Sequence, residues 1–88
     1  MAKQVTCLIV EDDDVIRSAL AKGLERTNYR CLQAASGEEA LEVIAREVPE
    51  VMISDLRMPG MDGVALLEGV KQHWPDVAVV VATAVAEV

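Results

Sequence analysis

The sequence predicts an α/β fold built on a parallel, doubly wound sheet. Two observations predict it. Short apolar runs alternate with amphipathic stretches at helical spacing, in the order βαβαβαβ. Most of the short runs are also apolar at nearly every position, as strands covered on both faces are. Strands in this order, joined by helices, imply right-handed crossovers. A chain of 88 residues forms one unit, spanning 1–88, because so short a chain rarely holds two independent cores.

The elements follow in order. Residues 5–10 (VTCLIV) form the first strand, ended by Glu11, Asp12, Asp13 and Asp14. Residues 15–25 repeat apolar positions at helical spacing (Ile16, Ala19, Leu20, Gly23, Leu24), and Asp13 or Asp14 caps that helix at its positive end. Residues 30–35 (RCLQAA) form a weaker second strand. Ser36 followed by Glu39 is a capping box, and the helix behind it carries Ala40, Leu41, Ile44 and Val48 on one face, with Pro49 as its stop. Residues 51–54 (VMIS) form a third strand running into Asp55. A turn-rich loop, LRMPGMDG, comes next, and Asp62 caps a third helix whose stripe is Val64, Leu67, Val70 and Trp74. Pro75 and Asp76 end that helix. Residues 77–82 (VAVVVA) form a fourth strand, apolar on both faces, followed by Thr83.

Composition narrows the function. Fifteen Asp and Glu against eight Lys and Arg give a formal charge of −7, so the chain repels nucleic acid and anionic membrane. Tyr29 and Trp74 are the whole aromatic content, and the stacking platforms of single-strand binders are missing. No run reaches the ~18 apolar residues of a membrane span. The first residues, MAKQVTCLIVEDDD, do not read as a signal peptide. Cys7 and Cys31 form no metal-ligand spacing and read as buried thiols of a reducing cytosol. There is no GxGxxG, no GxxxxGK[ST] and no GxSxG. His73 lies at a helix end and reads as a surface or capping residue.

In an open parallel sheet, sites form beyond the carboxyl ends of the strands. The first strand delivers Glu11, Asp12 and Asp13 there, the third delivers Asp55, and the fourth delivers Thr83. Taken singly, the acids could be helix caps, Asp55 turn chemistry and Thr83 a structural hydroxyl. Their placement on one edge favours a site. Clustered carboxylates repel, and an all-oxygen set suits Mg²⁺ or Mn²⁺ with room for phosphate oxygens. A carboxylate can itself be the nucleophile that forms an acyl phosphate. Asp55 is the best placed for that, with Glu11 to Asp13 holding the ion and Thr83 bonding a phosphoryl oxygen.

The segments LIVEDDDVIR (8–17), SDLRMPGMDG (54–63) and VVVATA (79–84) resemble the receiver domain of two-component response regulators. The middle segment is the most specific, and the spacing from Asp55 to Thr83 fits. The resemblance implies a flavodoxin-like receiver sheet in the order 2-1-3-4. It implies that Asp55 is the phosphoacceptor, charged by a sensor histidine kinase, a phosphotransfer protein or a small phosphodonor. It implies Mg²⁺ held by Asp12 directly, by Glu11 through water, by Asp55 and by the backbone carbonyl of Arg57. Thr83 matches the switch hydroxyl and Ala84 the small residue beside it. Arg57 and Val85 match positions that tune the lifetime of the aspartyl phosphate. Such a domain is a cytoplasmic signalling module whose only chemistry is on itself.

Measured against the family's pattern, the sequence stops after the fourth strand. The fifth strand with its Lys, and the last helices, are missing from these 88 residues. The resemblance therefore implies slow or undetectable phosphorylation of this chain alone, and an uncovered sheet face that drives self-association. An alternative reading follows: an assembly or interaction fragment that no longer signals. A phosphohydrolase of the haloacid dehalogenase type would carry a second Asp two residues after the nucleophile, where this chain has Arg57.

Overall fold

The computed structural model describes residues 4–55 and 63–81. Among them, β1 (Thr6–Val10), α1 (Asp14–Glu25), β2 (Arg30–Ala34), α2 (Gly37–Arg46), β3 (Val51–Ser54), α3 (Gly63–His73) and β4 (Ala78–Val81) follow the predicted order. The strands pair in parallel as β2-β1-β3-β4. Helices α1 and α2 both connect strands that run the same way, which a parallel sheet requires.

β1 lies at the centre and is covered on both faces. Leu8 and Val10 point to one side, where they pack with Ala34, Met52, Ala40 and Ile44 of α2, Leu66 and Val70 of α3, and Val77. Cys7 and Ile9 point to the other side and pack under Ala21 of α1, with Leu24, Tyr29, Cys31, Val51 and Ile53 around them. The strand's alternation thus feeds two apolar layers, one on each face of the sheet.

The helix caps follow the sequence. Asp13 caps α1, its Oδ1 accepting from the backbone N–H of Val15 and Ile16 at 2.9 and 3.1 Å. Ser36 caps α2 by accepting from the Glu39 N–H at 3.1 Å. The box closes one residue further out than expected, since the Glu39 carboxylate takes the N–H of Ala35 rather than that of Ser36. Helix α1 ends through Asn28, whose φ of 71° lies in the left-handed region that Asn tolerates.

Several faces differ from the sequence pattern. On α1 the buried residue is Ala21, while Ile16 and Leu20 are 49% and 38% exposed. The helix is apolar on most sides, so periodicity could not choose the inward one, and close approach to the sheet selects the small residue. On α3 the buried line is Gly63, Leu66 and Val70, and Val64 turns outward. Val48 is exposed beyond the end of α2. Cys7 is buried but Cys31 only partly so. The fourth strand, expected to be covered on both faces, is mostly exposed, with Val80 and Val81 half open. Its outer edge has no neighbouring strand among the described residues, and α1 packs mainly against β1 and β2. The predicted Asp62 cap lies outside the described residues.

Candidate functional site

The apolar run of β1 ends at Val10, yet the strand's pairing goes one residue further. The N–H of Glu11 donates to Ala34 O at 3.0 Å, which prolongs the ladder with β2. That keeps Glu11 in the sheet and buried, an uncommon place for a carboxylate. Its Oε2 accepts from the Asp13 N–H at 3.0 Å. Asp12 is exposed at the bend before α1, its side chain beside Glu11, and Asp13 turns to its capping duty.

Asp55 stands directly after β3. Its N–H donates to Val10 O at 3.4 Å, and Ser54 is in register with Val10. The central strand therefore carries Glu11 and Asp12 at its carboxyl end, and its neighbour carries Asp55 beside them. Asp55 is half-buried. The electrostatics register this proximity: burial first, then the bond from Asp12 and the charges of Asp55 and Asp12, push the Glu11 carboxyl above its ordinary value, against the lowering effect of the Asp13 N–H.

The structure thus brings together Glu11, Asp12 and Asp55, and it assigns Asp13 to the helix. Arg57, Thr83, Ala84 and Val85 lie outside the described residues. Among the described residues, no three metal-ligating side chains gather tightly enough to form a ready-made cage. Mg²⁺ rarely needs one: it takes one or two carboxylates and completes its shell with water and phosphate oxygens. The half-buried Asp55 beside the buried Glu11 and the exposed Asp12 is a donor set of that kind.

Arg17 is a site neighbour that the sequence reading missed. Its guanidinium donates from Nη1 to the Glu11 carbonyl at 2.7 Å, from Nη2 to Asp14 Oδ1 at 2.5 Å and from Nε to Gln33 Oε1 at 3.3 Å. The only local signal was an acid three residues earlier. The other two partners come from the end of β1 and from β2, which no short-range pattern reports.

Comparison with known proteins places this geometry. The family model for the response regulator receiver domain matches residues 7–88. The chain is 43% identical over 76 residues to the DNA-binding transcriptional regulator NtrC of Escherichia coli (strain K12), covering 86% of this chain and 16% of that protein. It is 35% identical over 80 residues to sporulation initiation phosphotransferase F of Bacillus subtilis (strain 168), covering 91% and 64%. It therefore spans about a sixth of the first relative and under two thirds of the second. Among solved structures, the N-terminal domain of a response regulator receiver protein from Methanoculleus marisnigri JR1 superposes with a TM-score of 0.89 at 34% identity, over 98% of this chain and 72% of that one. The chemotaxis response regulator CheY4 of Vibrio cholerae gives 0.90 at 26% identity, over 97% and 72%.

Proposed function

Because the chain belongs to the response regulator receiver domain family, its match running over residues 7–88, we propose that it accepts a phosphoryl group on Asp55 from a histidine kinase or phosphotransfer protein. Receiver domains are signalling domains of two-component systems rather than classical enzymes. The observation that carries the reading is the position of Asp55, bonded to Val10 at the end of the central strand and close enough to Glu11 for their charges to interact.

Asp55 is the nucleophile, its carboxylate oxygen forming the new bond to phosphorus as the donor's leaving group departs. Glu11 and Asp12, with Asp55 and the Arg57 carbonyl, hold a divalent cation, Mg²⁺ or Mn²⁺. When bound, the cation supplies the positive charge that offsets repulsion between Asp55 and the incoming phosphoryl group. Thr83 bonds a phosphoryl oxygen and moves toward it, with Ala84 leaving space. Arg57 and Val85 set how readily water reaches the product. The change in Thr83 biases a two-state element and so partner binding.

Beryllofluoride, a phosphoryl mimic, tests the site. With Mg²⁺ it should shift the backbone amide resonances of Glu11, Asp12 and Asp55, and Asp55→Asn should abolish the shifts. A response that persists in Asp55→Asn, or that needs no divalent cation, overturns the reading.

A second reading has its own observation. Val15, Ile16, Val80 and Val81 are 78%, 49%, 50% and 39% exposed. So much apolar surface on a small domain favours association, and the chain then acts through self-assembly. Sedimentation at micromolar protein should show a dimer or larger species, strengthened by salt that screens the acidic charge. A clean monomer at all salt concentrations removes this reading.

A further inference from the structure

We propose that Arg17 is the positioning residue of the acid edge, clamping the turn between β1 and α1 so that Glu11 and Asp12 meet Asp55 in a fixed arrangement. In its metal-binding consequence the inference rests on the phosphoacceptor reading above. In its backbone consequence it stands alone.

Three of the five guanidinium N–H donors are used, each on a different part of the fold. One holds the carbonyl of Glu11, a second holds Asp14 in the first turn of α1, and a third reaches Gln33 on β2. A plain surface ion pair between residues three apart does not explain this. Such pairs stay solvated and contribute little, whereas the Arg17 side chain is only 16% exposed. Two of its three bonds also leave the helix. With Arg17 in place, Glu11 is held at every polar group: its N–H by Ala34, its carboxylate by the Asp13 N–H, and its carbonyl by Arg17. Freed of the clamp, the carbonyl of a buried residue would need another donor, and the turn carrying the acids would shift to find one.

Position and charge predict opposite signs, which makes the inference testable. If Arg17 acted only as a cation near the acids, its removal would tighten Mg²⁺ binding. If it positions them, removal weakens binding, and so does Arg17→Lys, which keeps the charge but cannot reach three partners in one plane. Residues that orient metal ligands change affinity by about 10–100-fold when replaced.

The test measures Mg²⁺ binding by calorimetry and amide hydrogen exchange in the whole chain for wild type, Arg17→Lys, Arg17→Ala and Gln33→Leu. Both Arg17 variants should bind Mg²⁺ about tenfold more weakly, with Gln33→Leu between them and wild type. Exchange should accelerate at Glu11 and Asp13 while amides of β3 and α2 keep their wild-type rates. Tighter Mg²⁺ binding in Arg17→Ala, or wild-type affinity and exchange in Arg17→Lys, overturns the proposal. Acceleration spread over all amides also overturns it, because that marks general destabilisation. If wild type binds no Mg²⁺, the metal reading of the site fails, and the exchange at Glu11 and Asp13 still decides the clamp.

Discussion

Burial acts on individual ionisable groups here, and at Glu11 and Cys7 it serves different ends. At Glu11 it holds a carboxyl among other acids, where a cation would relieve the repulsion. At Cys7 it makes a thiol inert. Cys7 is fully enclosed beneath α1, and loss of solvation, with the neighbouring Cys31, pushes its pKa from 9.0 to about 11. Thiolate is the reactive form, so Cys7 should resist thiol reagents in the folded chain and react once urea unfolds it. Its titration also bears on stability. The folded thiol keeps its proton to higher pH than the unfolded one, so stability is intact below 9.0 and falls as pH rises from there toward 11. The loss is on the order of 2 kcal/mol, read as the difference between wild type and Cys7→Ala in urea unfolding on either side of that window. A wild type that loses no more than Cys7→Ala contradicts it. The capping role of Asp13 was readable from the sequence because a cap is local: an acid before the first helical turn. The role of Arg17 was not, since its partners arrive from other elements.

Each helix owes its existence to local pattern but its orientation to the sheet. Helix α1 shows the difference. Val15, Ile16, Ala19, Leu20, Ala21 and Leu24 make it apolar on most sides, so spacing announces a helix without saying which side packs. The sheet answers with Ala21, above Cys7 and Ile9. This ranks substitutions clearly. Ala21→Leu should destabilise by about 1–3 kcal/mol through overpacking, whereas Leu20→Ala, at a 38% exposed position, should cost about 0.5 kcal/mol. Ile44→Ala, in the layer between α2 and β1, should cost about 2–5 kcal/mol. Denaturant midpoints check all three, and a larger loss from Leu20→Ala than from Ala21→Leu would reverse the assigned face. The strands were easier to read than the helix faces, because a fully covered strand is apolar on both sides and needs no choice of face. β4 is the exception: its composition is that of a covered strand, while in the structure most of it is open.

Across the whole molecule, strand order decides what the acids can do. With β1 between β2 and β3, the carboxyl ends of two adjacent strands place Glu11, Asp12 and Asp55 on one edge, although Asp55 lies far along the chain from the other two. That convergence was legible from the sequence because parallel connections send every strand end the same way. The exposed valines were less legible, since exposure depends on which elements reach them. The central claim is that this edge exists to carry a phosphoryl group on one carboxylate. Intact-mass analysis after incubation with a small acyl phosphate tests it most directly. Any phosphoryl group the chain gains should depend on Mg²⁺ and should be lost on treatment with hydroxylamine, as an acyl phosphate does. Asp55→Asn should gain none. A gain that survives Asp55→Asn, or that forms equally without Mg²⁺, would contradict the account.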